Sequence, residues 1–151
     1  MTGLYAVLGL VAFIMIDTSS AGSKYRIVQH NLWVTSWKRA RDACRRSRGW
    51  DLAKIENRQE NEALKYLLTT ECNNGGDGWF IGGKSENGVW KWADNSDMLF
   101  NNFPPVRSSI PSLRRTIVIN YAVIFKEDYQ WGYVAPRPIP RMGYVCENMT
   151  C

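Results

Sequence analysis

The four cysteines are the residues of this sequence whose chemistry is clearest. They are Cys44, Cys72, Cys146 and Cys151, and no two of them have the Cys-x-x-Cys spacing that suggests a zinc site. An even number of cysteines in an exported chain forms disulfides, and four cysteines allow three pairings. The sequence therefore predicts two disulfides and no metal site, and on these grounds alone the pairing stays open.

Residues that commonly catalyse reactions are scarce. His30 is the only histidine, and its place beside a predicted first strand favours an exposed or capping role over a general base. The chain has no Gly-x-Ser-x-Gly, His-Glu-x-x-His or phosphate-binding glycine motif. If the cysteines are all in disulfides, no thiol nucleophile remains. We therefore expect a binding protein and not an enzyme.

Basic side chains are the second chemically suggestive group, and the chain has a formal net charge of +5. They include a set on a predicted helix and a set in a long loop: Lys38, Arg41, Arg45 and Arg48, and Arg107, Arg114 and Arg115. The planar fork of arginine suits sulfate and carboxylate groups. A helical stripe of charge is more often a solvated face, so the loop set is the better candidate for ligand contact.

Residues 1–21 have the features of a cleaved signal peptide. The apolar run Leu4–Ile16 is followed by the small residues Ser19, Ser20 and Ala21 at the cleavage-determining positions. A transmembrane anchor needs about 20 apolar residues, so we expect no membrane insertion. The rest of the chain, 24–151, is expected to form one secreted domain with a glycosylation sequon at Asn148.

Helices come first along this domain and strands follow. The first helix is predicted from a Ser36 cap to Arg48, and its inner face is Trp37, Ala40 and Cys44. The second opens at Asn57 with Glu60 in capping-box spacing, and its predicted buried face is Ala63, Leu64, Leu67 and Leu68. Strands are predicted at 25–28, 79–83, 89–92, 117–125, 129–134 and 143–146, so the fold class is α+β. The irregular stretch 95–115 is long enough to be a functional loop.

Six segments, in order, are similar to one family. They are Trp37–Cys44, Gly49–Ile55, the second helix, Trp79-Phe80-Ile81-Gly82-Gly83, Trp90-Lys91-Trp92 and Tyr144-Val145-Cys146-Glu147. Over about residues 25–147 the chain resembles the C-type lectin-like domain. The resemblance implies a double-loop α+β domain in which two helices flank small antiparallel sheets, and in which the long loop carries the ligand site. The pair Gly82-Gly83 is then better explained by close packing in the hallmark strand than by a ligand cradle.

The same resemblance implies a disulfide pairing. In the family, the cysteine of the first helix bonds the cysteine of the last strand, here Cys44 and Cys146. The inner cysteine pair usual in the family is absent, and we expect Cys72 and Cys151 to bond each other. The alternative, Cys146 with Cys151 and Cys44 with Cys72, contradicts the family pattern.

Calcium binding is where this sequence departs from the sugar-binding members it resembles. Those members supply calcium ligands from a Glu-Pro-Asn or Gln-Pro-Asp triplet in the long loop and from Trp-Asn-Asp on a later strand. Here the loop reads Asn-Asn-Phe-Pro-Pro at 101–105 and the strand reads Trp131-Gly132-Tyr133. Calcium needs six to eight oxygen ligands, several of them carboxylates. We therefore expect no calcium cofactor; Glu127 and Asp128 are a weak alternative cation site, and an exposed acidic turn explains them more simply.

Two binding functions follow from these observations. The first is calcium-independent recognition of a carbohydrate, anionic or sulfated, in an innate-immune setting. Its candidate contacts are Arg107, Arg114, Arg115, Glu127, Asp128 and Tyr133. The second is a protein-binding module that has lost sugar binding and uses an aromatic patch of Tyr121, Trp131 and Tyr133, although Trp131 is expected in the core. Extracellular proteins and glycans are the expected partners, and nucleic acid is not, because its compartment differs.

Overall fold

Nine regular elements lie in the part of the chain that the structure describes. The computed structural model describes residues 24–30, 32–70, 76–105 and 118–150. In chain order they contain β1 (Tyr25–Val28), α1 (Trp37–Arg45), β2 (Trp50–Leu52), α2 (Arg58–Thr70), β3 (Gly78–Glu86), β4 (Val89–Trp92), β5 (Ile119–Phe125), β6 (Trp131–Val134) and β7 (Met142–Asn148). The predicted signal peptide, Cys72, Cys151 and the three loop arginines lie outside these ranges.

The strands form one mixed sheet. Its order is β1-β7-β3-β5-β6, with β2 also pairing with β7 and β4 pairing with β3. All pairs are antiparallel except β3 with β7. The predicted α+β class is confirmed, but the strands join a single sheet where separate small antiparallel sheets were expected. The reason is that β7 hydrogen-bonds to β1, β2 and β3 and so connects them.

Both helices begin where their caps predict. Ser36 accepts a hydrogen bond from the Arg39 amide, and Asn57 Oδ1 accepts one from the Glu60 amide at 2.9 Å. The first helix ends at Arg45, earlier than the predicted Arg48, because tight turns follow it before Gly49 adopts a φ of +81°. Neither described helix is long and apolar enough to cross a bilayer.

The two helices pack on opposite faces of the sheet, so the domain has two core clusters. On the α1 face lie Trp37, Ala40 and Cys44, which confirms the predicted inner face of that helix. On the α2 face lie Leu64 and Leu68. The predicted buried face of α2 was wrong at Ala63, which is exposed. Asn61 is buried instead, because its Oδ1 accepts a hydrogen bond from Trp131 Nε1 at 2.8 Å.

A disulfide joins α1 to β7. It links Cys44 with Cys146, as the family resemblance implied, across a sequence separation of 102 residues. In the chain-entropy account, closing a loop of that length lowers the entropy of the unfolded chain and stabilises the fold by about 4.7 kcal/mol. Both cysteines are buried, so the bond is shielded by the core on the α1 face.

A lysine clamp holds three separate parts of the chain together on the other side. Lys24 Nζ lies 2.5 Å from Glu60 Oε1 on α2 and 3.1 Å from Glu147 Oε1 on β7. Burial lowers the pKa of Lys24, but hydrogen bonds to the two carboxylates outweigh it and raise the pKa above its usual value. Burial also raises the pKa of Glu147. The clamp therefore fixes the chain before β1 to both the second helix and the last strand.

Replacing Lys24 with Met should lower the free energy of unfolding by about 1–3 kcal/mol near neutral pH, since two carboxylates then face each other without a cation. The loss should shrink at about pH 4.5, because Glu147 with its raised pKa takes up a proton and the repulsion falls. Urea denaturation at the two pH values measures both effects. The control is Lys65→Met, which removes an ion pair of 4.0 Å on the exposed side of α2 and should cost less than about 0.5 kcal/mol. Equal losses in the two variants would contradict a stabilising clamp.

Peptide mapping without reduction should recover Cys44 joined to Cys146 and Cys72 joined to Cys151. A Cys72→Ser, Cys151→Ser double variant should keep the first bond, because that bond lies within the described core. A fragment that joins Cys146 to Cys151 would contradict the pairing.

Candidate functional site

Three aromatic rings meet where the long loop reaches β6, the strand at one edge of the sheet. Trp90 of β4, Phe103 of the loop and Tyr133 of β6 form this cluster, which we call the aromatic platform. The ring centroids of Trp90 and Phe103 are 4.6 Å apart, and those of Tyr133 lie 6.2 Å from Trp90 and 6.4 Å from Phe103. Tyr133 is 52% exposed, while the other two rings are half-buried. The platform is thus open to solvent on one side and supported on the other.

The support beneath the platform is Trp131, which is 1% exposed. Its ring lies edge-on to Phe103 and Phe100, with centroids 5.5 Å and 6.0 Å away. Its Nε1–H is held by Asn61 of α2. The prediction that Trp131 belongs to the core is therefore confirmed, and Trp131 orients the platform from below.

A glycine allows the long loop to pack this closely against the sheet. A Cβ at Gly83 of β3 would lie 2.7 Å from Ala122 Cβ and 2.8 Å from Met98 Cε. Gly82 is equally crowded on the opposite face, where a Cβ would lie 2.9 Å from the Ala53 carbonyl oxygen. The close packing predicted for Gly82-Gly83 is confirmed. Any larger residue at Gly83 would clash with Ala122 on β5 and displace the end of the Met98 side chain that packs there.

Polar contacts fix the start of the long loop. Asp94 accepts hydrogen bonds from the backbone and hydroxyl of Ser96, and it pairs with Lys54 Nζ at 3.2 Å. Burial raises the pKa of Asp94, but these hydrogen bonds outweigh it and hold the pKa below its usual value. Asp97 pairs with Lys91 of β4 at 3.6 Å. The loop therefore leaves the sheet in a defined direction before it reaches Phe103.

The position after Trp131 is covered by an aromatic ring. A Cβ at Gly132 would lie 2.2 Å from Cε2 of Phe125, so a side chain there would displace the Phe125 ring. The next residue, Tyr133, brings a phenol and no carboxylate. In the loop opposite, Asn101 Oδ1 accepts a hydrogen bond from the Phe103 amide at 3.3 Å. Within the parts of the chain described above, no three His, Cys, Asp or Glu side chains group closely enough to hold a metal ion.

The other sequence-predicted site residues do not join the platform. Glu127 and Asp128 lie in the exposed turn between β5 and β6, at the opposite end of β6 from Tyr133. Asp128 Oδ1 accepts a hydrogen bond from the Gln130 amide, so it shapes the turn. His30 is partly buried, not exposed, and its Nδ1 has no hydrogen-bond partner among the described residues.

The predicted patch of Tyr121, Trp131 and Tyr133 was wrong as a surface. Tyr121 is buried on the other face of the sheet, where its ring stacks on Trp37 at 4.8 Å. Tyr133 of β6 pairs with Ala122 of β5 and shares its face. Because side chains alternate along a strand, Tyr121 lies on the opposite face. Sequence reasoning missed Trp90 and Phe103 as surface residues. Two sequence features could have indicated them: every second residue along 89–92 is aromatic, and the following loop contains two phenylalanines.

The glycosylation sequon lies at the end of β7. Asn148 Oδ1 accepts hydrogen bonds from the Thr150 amide at 3.1 Å and from its hydroxyl at 2.7 Å. These contacts leave the Asn148 Nδ2 group without a hydrogen bond to the described residues. The predicted glycan at Asn148 stays a prediction.

Comparison with known proteins identifies the fold and the family. The sequence model of the Lectin C-type domain matches residues 34–116. A search among curated proteins finds no significant match. Among solved structures, SPL-1 in its GlcNAc complex has a TM-score of 0.64 and 16% identity, covering 84% of this chain and 88% of that chain. The Ca2+-independent C-type lectin SPL-2 from Saxidomus purpuratus has a TM-score of 0.63 and 14% identity, covering 83% and 85%.

Ovocleidin-17, from the Gallus gallus eggshell calcified layer, has a TM-score of 0.56 and 24% identity, covering 82% of this chain and 89% of that chain. The TM-scores of these three structures show a shared fold. The match to the family's sequence model covers more than half of the chain. The chain therefore belongs to the C-type lectin domain family.

Proposed function

We propose that this chain is a secreted glycan-binding protein that works without calcium and holds its ligand on the aromatic platform. The observation that carries the proposal is the half-exposed ring of Tyr133, supported by Trp90 and Phe103 at the meeting of the long loop and β6. A sugar ring has an apolar C–H face that packs on an aromatic ring, and a binding site needs few polar groups beside such a surface. Asn101 and Asn102 lie next to Phe103 in the chain and can supply them.

Independence from calcium is supported by the residues at the positions that resemble the family's ligands. Gly132 lies under Phe125, Tyr133 has no carboxylate, and the loop segment 101–105 contains no acid. Calcium prefers several carboxylate oxygens, which this set does not provide. The fold is also shared with a lectin described as Ca2+-independent and with one solved as a GlcNAc complex.

A preference for anionic sugars is supported by charge. Arg107, Arg114 and Arg115 follow Phe103 in the same long loop, and the whole chain has a formal net charge of +5. Sulfate and carboxylate groups form short, charge-assisted hydrogen bonds with arginine. Outside the cell such a surface also suits anionic microbial envelopes, which is the basis for a role in innate immunity. The buried disulfide supports export, because disulfides persist in oxidising compartments.

Tyr133→Ala should weaken glycan binding by about tenfold, which corresponds to about 1.4 kcal/mol, since it removes the exposed ring of the platform. A glycan array with GlcNAc-terminated and sulfated sugars, read in calcium and in EDTA, measures this. Binding measured in calcium should equal binding measured in EDTA. Tyr66→Ala is the matched control, because Tyr66 is 68% exposed on α2 and its ring is not part of the platform. Binding that vanishes in EDTA, or equal losses in both variants, would overturn the proposal.

Replacing Arg107, Arg114 and Arg115 with Ala should lower binding to sulfated members of the array more than to neutral ones. We expect the same variant to unfold at an unchanged temperature, because single surface charges in general contribute little to stability. Arg46, Arg48 and Arg58 are three exposed arginines outside the loop, and their Ala variant controls for total charge. A uniform loss across neutral and sulfated sugars would assign the loop a role other than charge recognition.

A protein ligand is the second candidate, and exposed apolar residues of the loop favour it. Leu99 is 92% exposed between Met98 and Phe100, whose side chains pack against the core. Isolated exposed leucines are common, so the observation is weaker than the platform. Leu99→Ser should leave glycan binding unchanged. If the array shows no glycan ligand, this variant becomes the test for loss of a protein partner.

A further inference from the structure

A concave surface lies on the opposite side of the sheet from the platform. It is a groove of about 630 Å³ between α1 and the β3–β4 hairpin, and we call it the α1 groove. Its basic lining residues are Lys38, Arg41, Arg45, Lys84 and Lys91. Lys91 and Trp90 are neighbours on β4, and strand alternation turns one toward the groove and the other toward the platform. The two surfaces are therefore separate.

Two of these five cations are already held by the protein. Arg41 binds Asp51 through two nitrogens, with Nε–Oδ1 and Nη2–Oδ2 distances of 3.1 Å. Lys91 pairs with Asp97. Lys38, Arg45 and Lys84 form no ion pair with any described residue. These three come from α1 and β3, so their charges converge on the groove from two walls.

A smaller pocket continues from one end of the groove. Its volume is about 190 Å³, and its walls include Trp37, Tyr121, Pro136 and Pro138. Lys38 lines both the groove and the pocket, and Arg137 stands at the pocket's other side, also without an ion pair in the described chain. An aromatic pocket beside two cations suits one sugar ring that carries an anionic group.

We infer that the α1 groove and its pocket bind an extended sulfated polysaccharide chain. Lys38 and Arg45 are seven residues apart on α1, so about 10 Å separates them along the helix axis. With Lys84 on the facing wall, cations spaced in this way match charges spread along a polyanion better than the single charge of a small anion. The groove also contains the carboxylates of Asp42 and Glu86. Sugar hydroxyls can donate hydrogen bonds to these carboxylates, which polyphosphate cannot do because it has no such donors.

The test is calorimetric titration of the full mature chain with a heparin dodecasaccharide at about 0.15 M salt. A Lys38→Gln, Arg45→Gln, Lys84→Gln variant should bind at least about tenfold more weakly, and its affinity should depend less steeply on salt. The control changes Arg46, Arg48 and Arg58 to Gln. These arginines are exposed and two of them directly follow α1, but none lines the groove. The control should lose less than about threefold, through net charge alone.

Further ligands and variants separate this inference from the proposed function. Polyphosphate should bind the unchanged chain more weakly than heparin, and poly-glutamate should not compete with heparin for the groove. Equal losses in the groove and control variants would overturn the inference, as would a groove that prefers poly-glutamate. A loss of heparin binding confined to the loop-arginine variant would overturn it too, and would leave the platform proposal intact. A loss confined to the groove variant, with a Tyr133→Ala variant that binds the array normally, would support the groove and contradict the platform.

Discussion

Strand β7 uses both of its edges and both of its faces, and the rest of the fold depends on that use. One edge pairs with β1, and the other pairs with β3 at its beginning and with β2 at its end. On one face Cys146 is bonded to α1, and on the other Val145 packs in the cluster that contains α2. Glu147 extends the connection to the chain before β1 through Lys24. Because β7 alone joins β1 and β2 to β3 among the described strands, the sheet is continuous only through these seven residues.

The alternation of side chains in the central strands then divides the surface into two separate regions. On β3, residues 79, 81 and 83 face α2 and the long loop, while residues 80 and 84 face α1. The first face carries the aromatic platform, and the second carries the cations of the α1 groove. The aromatic platform and the cations of the α1 groove thus lie on opposite faces of one sheet. Trp92 connects them, because it lines the groove and its ring lies edge-on to Trp131 beneath the platform.

Short-range patterns in the sequence predicted where most helices and strands lie, but they did not predict contacts between residues that are far apart in the chain. Ser36 and Asn57 mark helix starts through hydrogen bonds to close neighbours in the chain, and both were foreseeable, whereas the end of α1 was predicted three residues too late. Asn61 was not foreseeable, since its partner Trp131 is 70 residues away. The same holds for the lysine clamp, because nothing near Lys24 indicates which carboxylates will surround it. At the candidate site, Tyr133 was identified from its strand, but its neighbours Trp90 and Phe103 come from elements that only the fold brings together.

The packing of Phe125 over Gly132 has a consequence for how this domain can evolve. A side chain at position 132 and the Phe125 ring compete for the same space, so a substitution of Gly132 by asparagine must displace the ring. That first step loses the packing of the ring on the strand, while one amide oxygen contributes little toward binding a divalent cation. Selection acts against such an intermediate unless Phe125 is replaced beforehand. The order of substitutions along any mutational path to an oxygen ligand at this position is therefore constrained by the Phe125 ring.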